Sequence, residues 1–215
     1  MKKISTLVVA IILVWSSQTK VQAQAFEKDK NYFSFSYGFG AFYTAFFSSV
    51  EESIKQSAGS DISISTSSLG PLSFKYERAV SDKVGLGLSV NYLSNTIKYT
   101  EQNVGNSGTA TGNYNLNRTT LSILARMNLH FGDNDKFDPY WGLGIGYRTV
   151  NWKQTVSYSD GSTPTDENDL PTFTVIPFGF ETVFGARYFL GPNFALFGEL
   201  GLAKSVLQLG VTGKF

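Results

Sequence analysis

The chain contains no cysteine and a single histidine among its 215 residues. Without cysteine there is no disulfide framework to staple an exported fold, and no lipid-anchor cysteine follows the leader. One histidine and no cysteine leave no ligand set for zinc. A strong helical period is missing too: the best helical candidate, Ser48 to Ser57, is short and mostly polar. An excess of charge is also lacking, since 18 basic residues face 17 acidic ones. That balance offers no basic face and argues against nucleic-acid binding.

What is present begins with a leader. Lys2 and Lys3 precede an almost wholly apolar run from Ile4 to Trp15, too short to span a bilayer as a helix. Small residues follow, and cleavage after Ala23 or Ala25 fits the A-x-A pattern of a secretory signal peptide. Residues 1–23 are therefore expected to be removed, leaving residues 26–215 as the folded domain. Removing Lys2, Lys3 and Lys20 leaves 15 basic against 17 acidic residues. About 190 residues suit one domain.

Aromatics reach 15% and glycines number 21, arranged on a strand period rather than a helical one. In "NYFSFSYGF", Phe33, Phe35, Tyr37 and Phe39 alternate with Ser34, Ser36 and Gly38. In "VGLGLSVNY", Val84, Leu86, Leu88, Val90 and Tyr92 alternate with Gly85, Gly87, Ser89 and Asn91. The same alternation recurs from Leu72, Leu121, Trp141, Ile176, Phe194 and Leu207, giving eight expected strands. Short turns, "SDK", "GDNDKFDP" and "LGPN", carry the Gly, Pro, Asp and Asn that turns require. They alternate with long polar loops expected at 43–69, 100–118 and 151–173.

One face of these strands is rich in Phe, Tyr, Leu and Ile. The other carries glycine, serine and seven charged residues: Lys75, Glu77, Arg126, Arg148, Glu181, Arg187 and Glu199. A water-soluble lipocalin-like calyx would bury the apolar face. An eight-stranded barrel has an interior only just wide enough for side chains, so small residues belong inside it. Strands of about ten residues are long enough to cross a bilayer when tilted. The expected fold is therefore all-β: an eight-stranded antiparallel up-and-down transmembrane β-barrel. Its strands must close, because lipid leaves no partner for a free edge.

The last residues, "QLGVTGKF", resemble the carboxy-terminal signal of Gram-negative outer-membrane barrels, with Gln208, Gly210 and Phe215 in matching places. Gly213 departs from the pattern, standing where a bulky apolar residue is usual. "SFKYERAVSDKVGLGLSVNY" and "DPYWGLGIGYR" resemble small barrels of the OmpX/OmpA type, over the whole mature chain. That resemblance implies a location in the bacterial outer membrane, in contact with lipid and lipopolysaccharide, and recognition by the barrel-assembly machinery. It also implies a charged lumen network that plugs the barrel or gates a pore.

Chemistry-bearing residues weigh against an enzyme. Glu181 and Glu199 are expected at mid-height with Arg126 in reach, interleaved as an ion network rather than clustered as an acid–base pair. His130 is expected near a turn and pointing inward, far from where a lipid-modifying site would lie. "GLGIG" (142–146) lacks the following helix that a nucleotide loop needs. "SDGSTPTDEND" (159–169) lacks calcium-loop spacing. Aromatics including Tyr32, Tyr76, Tyr92, Tyr140, Trp141 and Phe215 are expected in a girdle at the turn end, with Tyr147 and Trp152 toward the loops. No cofactor is expected. The functional expectation is a surface-interaction or structural role through the loops, with a small-solute channel as the alternative.

Overall fold

The computed structural model describes residues 24–39, 63–104, 110–160, 177–202 and 205–215. The leader, the centres of all three expected long loops and residues 203–204 lie outside the described residues. Eight strands follow in order: β1 (Asn31–Phe39), β2 (Ser63–Ala79), β3 (Val84–Val104), β4 (Ala110–His130), β5 (Phe137–Tyr158), β6 (Phe178–Phe189), β7 (Phe194–Leu202) and β8 (Leu207–Lys214). Each pairs antiparallel with its sequence neighbour, and β8 returns to β1, so the sheet is a closed barrel. The seam is fastened at its base by Asn31 and Phe215, whose backbones exchange two 2.9 Å hydrogen bonds.

Burial is inverted relative to a soluble barrel. Phe35, Leu88, Ile145 and Phe184 are exposed, while Ser36, Lys75, Arg126, Glu181 and Glu199 are buried. Pleating puts successive side chains on opposite faces, so the alternation seen in the sequence becomes an apolar outer belt around a polar lumen. On β3 the belt runs from Val84 to Tyr92, which matches the roughly 9–11 residues a tilted strand needs to cross a bilayer. An apolar surface this continuous is untenable in water and is what lipid requires. The barrel is a transmembrane one.

Two expectations about connections need correction. The loops placed at 43–69, 100–118 and 151–173 are largely strand in their described parts: β2 begins at Ser63, β3 runs to Val104, β4 starts at Ala110 and β5 continues to Tyr158. Above the belt the alternation reverses phase. Outward positions become Ser94, Thr96, Lys98, Asn117, Asn151 and Lys153; inward ones become Ile97, Tyr99, Leu116, Tyr114 and Val156. The strands leave lipid for water, so the face that was apolar turns polar, and a reading that followed one phase ended too early. The rings of Tyr99 and Tyr114 stack on the inner face, 4.5 Å apart and 5° from parallel.

The turn "GDNDKFDP" is also shorter than expected, because Phe137, Asp138 and Pro139 already belong to β5. On β2 a bulge between Leu69 and Leu72 marks the exit from the belt. Gly70 sits there at φ +94°, where an added Cβ would meet the Tyr92 carbonyl oxygen at 2.8 Å. That combination of left-handed backbone and close approach admits only glycine.

Above the belt and among the described residues, β5 residues 149–158 pair with β4, while the β5–β6 register runs to Tyr147↔Phe178. β1 similarly leaves β2 at Tyr37↔Leu72. Among the described residues the barrel therefore continues outward as a four-stranded sheet, β2–β3–β4–β5.

Candidate functional site

The lumen carries two stacked ion clusters. The middle cluster draws one side chain from each of four strands: Lys75 (β2), Arg126 (β4), Glu181 (β6) and Glu199 (β7). Arg126 spans the barrel, donating to Glu181 Oε1 at 3.1 Å and Glu199 Oε1 at 2.5 Å. Lys75 donates to the other Glu199 oxygen and to Gln208 Oε1 at 3.1 Å. Tyr140 adds an O–H to Glu199 at 2.8 Å, and Asn128 accepts from Arg126 Nε at 2.8 Å. Two cations meet two carboxylates, which is the condition for burying charge at all.

The lower cluster lies at the turn end. Glu77 (β2) accepts from Arg187 (β6), and the two ring nitrogens of His130 (β4) contact Glu77 Oε1 at 2.9 Å and Asp138 Oδ1 at 2.6 Å. Arg187 also reaches Asp138 Oδ2 at 3.4 Å. Its guanidinium is held between the rings of Tyr32 and Tyr140, 4.9 Å from each centroid. Tyr140 thus ties the clusters together, its ring under one arginine and its hydroxyl on the other cluster's glutamate.

Glycines make room for these long side chains. An added Cβ on Gly144 would lie 2.6 Å from Glu181 Cγ, and one on Gly142 would lie 2.7 Å from an Arg126 nitrogen. The glycine face of β5 is the wall against which the middle cluster lies. What remains between the clusters is a void bordered by Lys75, Glu77, Arg126, Tyr140, Arg187 and Glu199, with room for about one water.

Above the clusters the inward side chains are mostly small and polar, with Arg148 at the height of Ser122. Ser89, Asn91 and Ser122 are buried and linked, with Asn91 Nδ2 donating to Ser122 at 3.2 Å. Leu124 and Val183 close in as apolar neighbours. Higher still, Arg118 stacks 5.5 Å over the ring of Trp152.

Six of the seven sequence-named charges meet in these clusters. Arg148 does not: it lies above them, half-buried, and forms no ion pair among the described residues. Asp138 is hidden in the sequence because "GDNDKFDP" carries turn residues, although Asp138 belongs to β5. Tyr32 and Tyr140 were expected in the turn-end girdle, but both point into the lumen and are buried; inward register, not ring type, decides their place. Tyr92 belongs to the upper rim of the belt rather than the turn end, since it pairs with Leu72 and Leu121. Alternation alone turns Tyr32 and Tyr140 inward, next to outward Phe33 and Trp141, and a β5 that begins at Phe137 turns Asp138 inward as well.

The carboxy-terminal residues hold three different positions. Gln208 faces the lumen, accepting from Lys75 and from Ser36 Oγ at 3.2 Å. Gly210 lies against the Phe197 ring, 2.6 Å from an added Cβ. Phe215 sits outside at the base, its ring edge-on to Phe33 at 5.9 Å. Gly213 pairs with Phe33 and leaves room for that ring, an added Cβ being 3.0 Å from it.

Chemically, this arrangement pairs opposite charges across the lumen at two heights. Both mid-lumen carboxylates are engaged by Arg126, and His130 is enclosed between two carboxylates beneath an aromatic ring. Among the described residues no group of His, Asp and Glu side chains is arranged to hold a metal ion.

No protein-family model matches the chain, and no curated protein matches it. Solved structures do share its outline. The outer membrane protein OprG from Pseudomonas aeruginosa is 14% identical, with 91% of this chain and 99% of that one covered, at a TM-score of 0.43. A de novo designed transmembrane β-barrel is 13% identical over 88% and 98%, at 0.41. Ail, the attachment invasion locus protein of Yersinia pestis, is 10% identical over 88% and 100%, at 0.35. Likenesses of this size carry no functional inference.

Proposed function

We propose that this protein is an integral outer-membrane barrel of a Gram-negative bacterium that acts through the sheet it raises above the membrane, not through its lumen. The observation that supports this reading is the pair of ion clusters, whose side chains meet across the lumen at two heights. The raised sheet offers the opposite: polar outward residues such as Lys98, Asn117, Asn151 and Lys153, set on strands too long for the belt alone. Residues 43–69, 100–118 and 151–173, loop and strand together, form the contact surface for envelope or external partners. Lipid and lipopolysaccharide surround the apolar belt. Gln208, Gly210 and Phe215 serve as the assembly signal read by the barrel-assembly machinery.

A small-solute channel is the second reading, favoured only by the polar lining of the upper lumen. Catalysis on lipid fits less well, because the single histidine lies inside the barrel at the turn end. The absence of cysteine makes orientation simple to test. Lys153→Cys should react with a membrane-impermeant maleimide on intact cells, whereas Lys83→Cys, in the β2–β3 turn, should react only after permeabilisation. The reverse pattern would place the sheet in the periplasm and overturn the reading.

A further inference from the structure

The residues ahead of β1 are folded into the barrel. Ala25 and Phe26 are each 1% exposed. The Phe26 ring stacks on His130, with centroids 3.5 Å apart and planes 8° from parallel, and lies 5.3 Å from Tyr32. Backbone groups anchor the segment on several elements at once. Ala25 N–H donates to Asn134 O at 3.1 Å in the β4–β5 turn. Tyr32 O–H donates to Ala25 O at 3.4 Å, and Glu27 N–H donates to the Tyr32 hydroxyl at 2.8 Å. Lys214 Nζ donates to Gln24 O at 2.9 Å and pairs with Glu27 Oε1 at 3.2 Å.

The two cleavage positions that the leader permits are therefore not equivalent. Cutting after Ala25 would delete the Gln24 carbonyl that receives Lys214 and both backbone groups of Ala25 that bridge β1 and the β4–β5 turn. It would also leave an α-ammonium on a residue whose ring is buried beside His130, where a further unpaired charge is costly. Cutting after Ala23 keeps every contact, and the new terminus falls on Gln24, which is only half-buried.

We propose that signal processing occurs between Ala23 and Gln24, and that residues Gln24 to Glu27 then stopper the periplasmic mouth of the barrel with Phe26 seated on the lower ion cluster. The covalent step is hydrolysis by a signal peptidase: water adds across the Ala23–Gln24 amide, leaving a carboxylate on Ala23 and an α-ammonium on Gln24. The ordering that follows uses contacts already assembled by β1, β4 and β8.

The proposal rests on the exported-barrel reading, and one experiment separates the two. Intact mass and amino-terminal sequencing of protein extracted from outer membranes should give a chain beginning at Gln24, or its cyclised form lighter by one ammonia. A folded, heat-modifiable protein beginning at Phe26 would overturn the processing site and leave the export reading standing. A soluble chain still beginning at Met1 would overturn both. For the stopper, Ala25→Cys and Lys28→Cys are compared in the refolded mature barrel. Maleimide should label position 25 at least about tenfold more slowly than position 28. Equal rates would mean that the mouth is open.

Discussion

At the scale of residues, the account turns on charge that is buried only because it is paired. Glu199 receives Lys75, Arg126 and Tyr140, so Glu199→Ala leaves buried Lys75 without its carboxylate and Arg126 with Glu181 alone. Its expected cost is about 3–5 kcal/mol, read as a drop in the urea midpoint of the folded, heat-modifiable form. The Arg78–Asp29 pair at the surface is the internal control. With side chains 48% and 71% exposed, its loss through Arg78→Ala should cost no more than about 1 kcal/mol. Similar costs for both variants would show that the lumen is hydrated and the clusters are not structural. The charged inward residues themselves were legible in the sequence, because period-2 alternation assigns a face to each one. Their partners were less so. Asp138 sat behind a turn motif, and Tyr140 was read as an interfacial aromatic because ring chemistry alone does not distinguish lumen from lipid.

At the scale of elements, each long strand changes solvent along its length. The outward face of β3 carries Leu88 within the belt and Thr96 above it. An arginine at Leu88 should cost about 2–4 kcal/mol near mid-bilayer and block stable insertion. The same substitution at Thr96, on the same face but in water, should leave the folded yield unchanged. Equal damage at both positions would place the belt wrongly. This change of solvent also explains why the strands looked short in sequence. Apolar alternation stops at Tyr92, Leu121 and Tyr147, while hydrogen-bonded pairing continues through Thr96↔Asn117 and Tyr99↔Tyr114. Polar β-formers such as threonine pair well in water, yet they read as loop when only one phase of hydrophobicity is followed. The β3–β4 hairpin should accordingly tolerate truncation. Replacing residues 97–116 by a short turn is expected to leave a heat-modifiable barrel, and failure of that variant to fold would show that the raised sheet is needed for assembly.

At the scale of the whole molecule, closure joins the two ends of the chain. Asn31 and Phe215 bond reciprocally at the base of the seam, and Phe215 packs on Phe33 outside. Deleting Phe215 removes both seam bonds and the ring, so the yield of folded protein in the outer membrane should fall sharply, while Arg78→Ala should not change it. Equal yields would separate the terminal aromatic from assembly. The closed order of eight strands and the inverted polarity were legible because alternation and an even strand count are properties of the whole chain. What the alternation does not reveal is which charges meet across the barrel at one height, and on that depends whether the lumen conducts. The most direct measurement is therefore planar-bilayer conductance of the mature protein, refolded in detergent and shown folded by its heat-modifiable mobility. A sealed barrel predicts no discrete current steps, with steps emerging only when Glu199→Ala and Arg126→Ala are combined to remove two of the four charged side chains of the middle cluster. Regular steps from the unaltered protein would contradict the sealed lumen and make the barrel a channel.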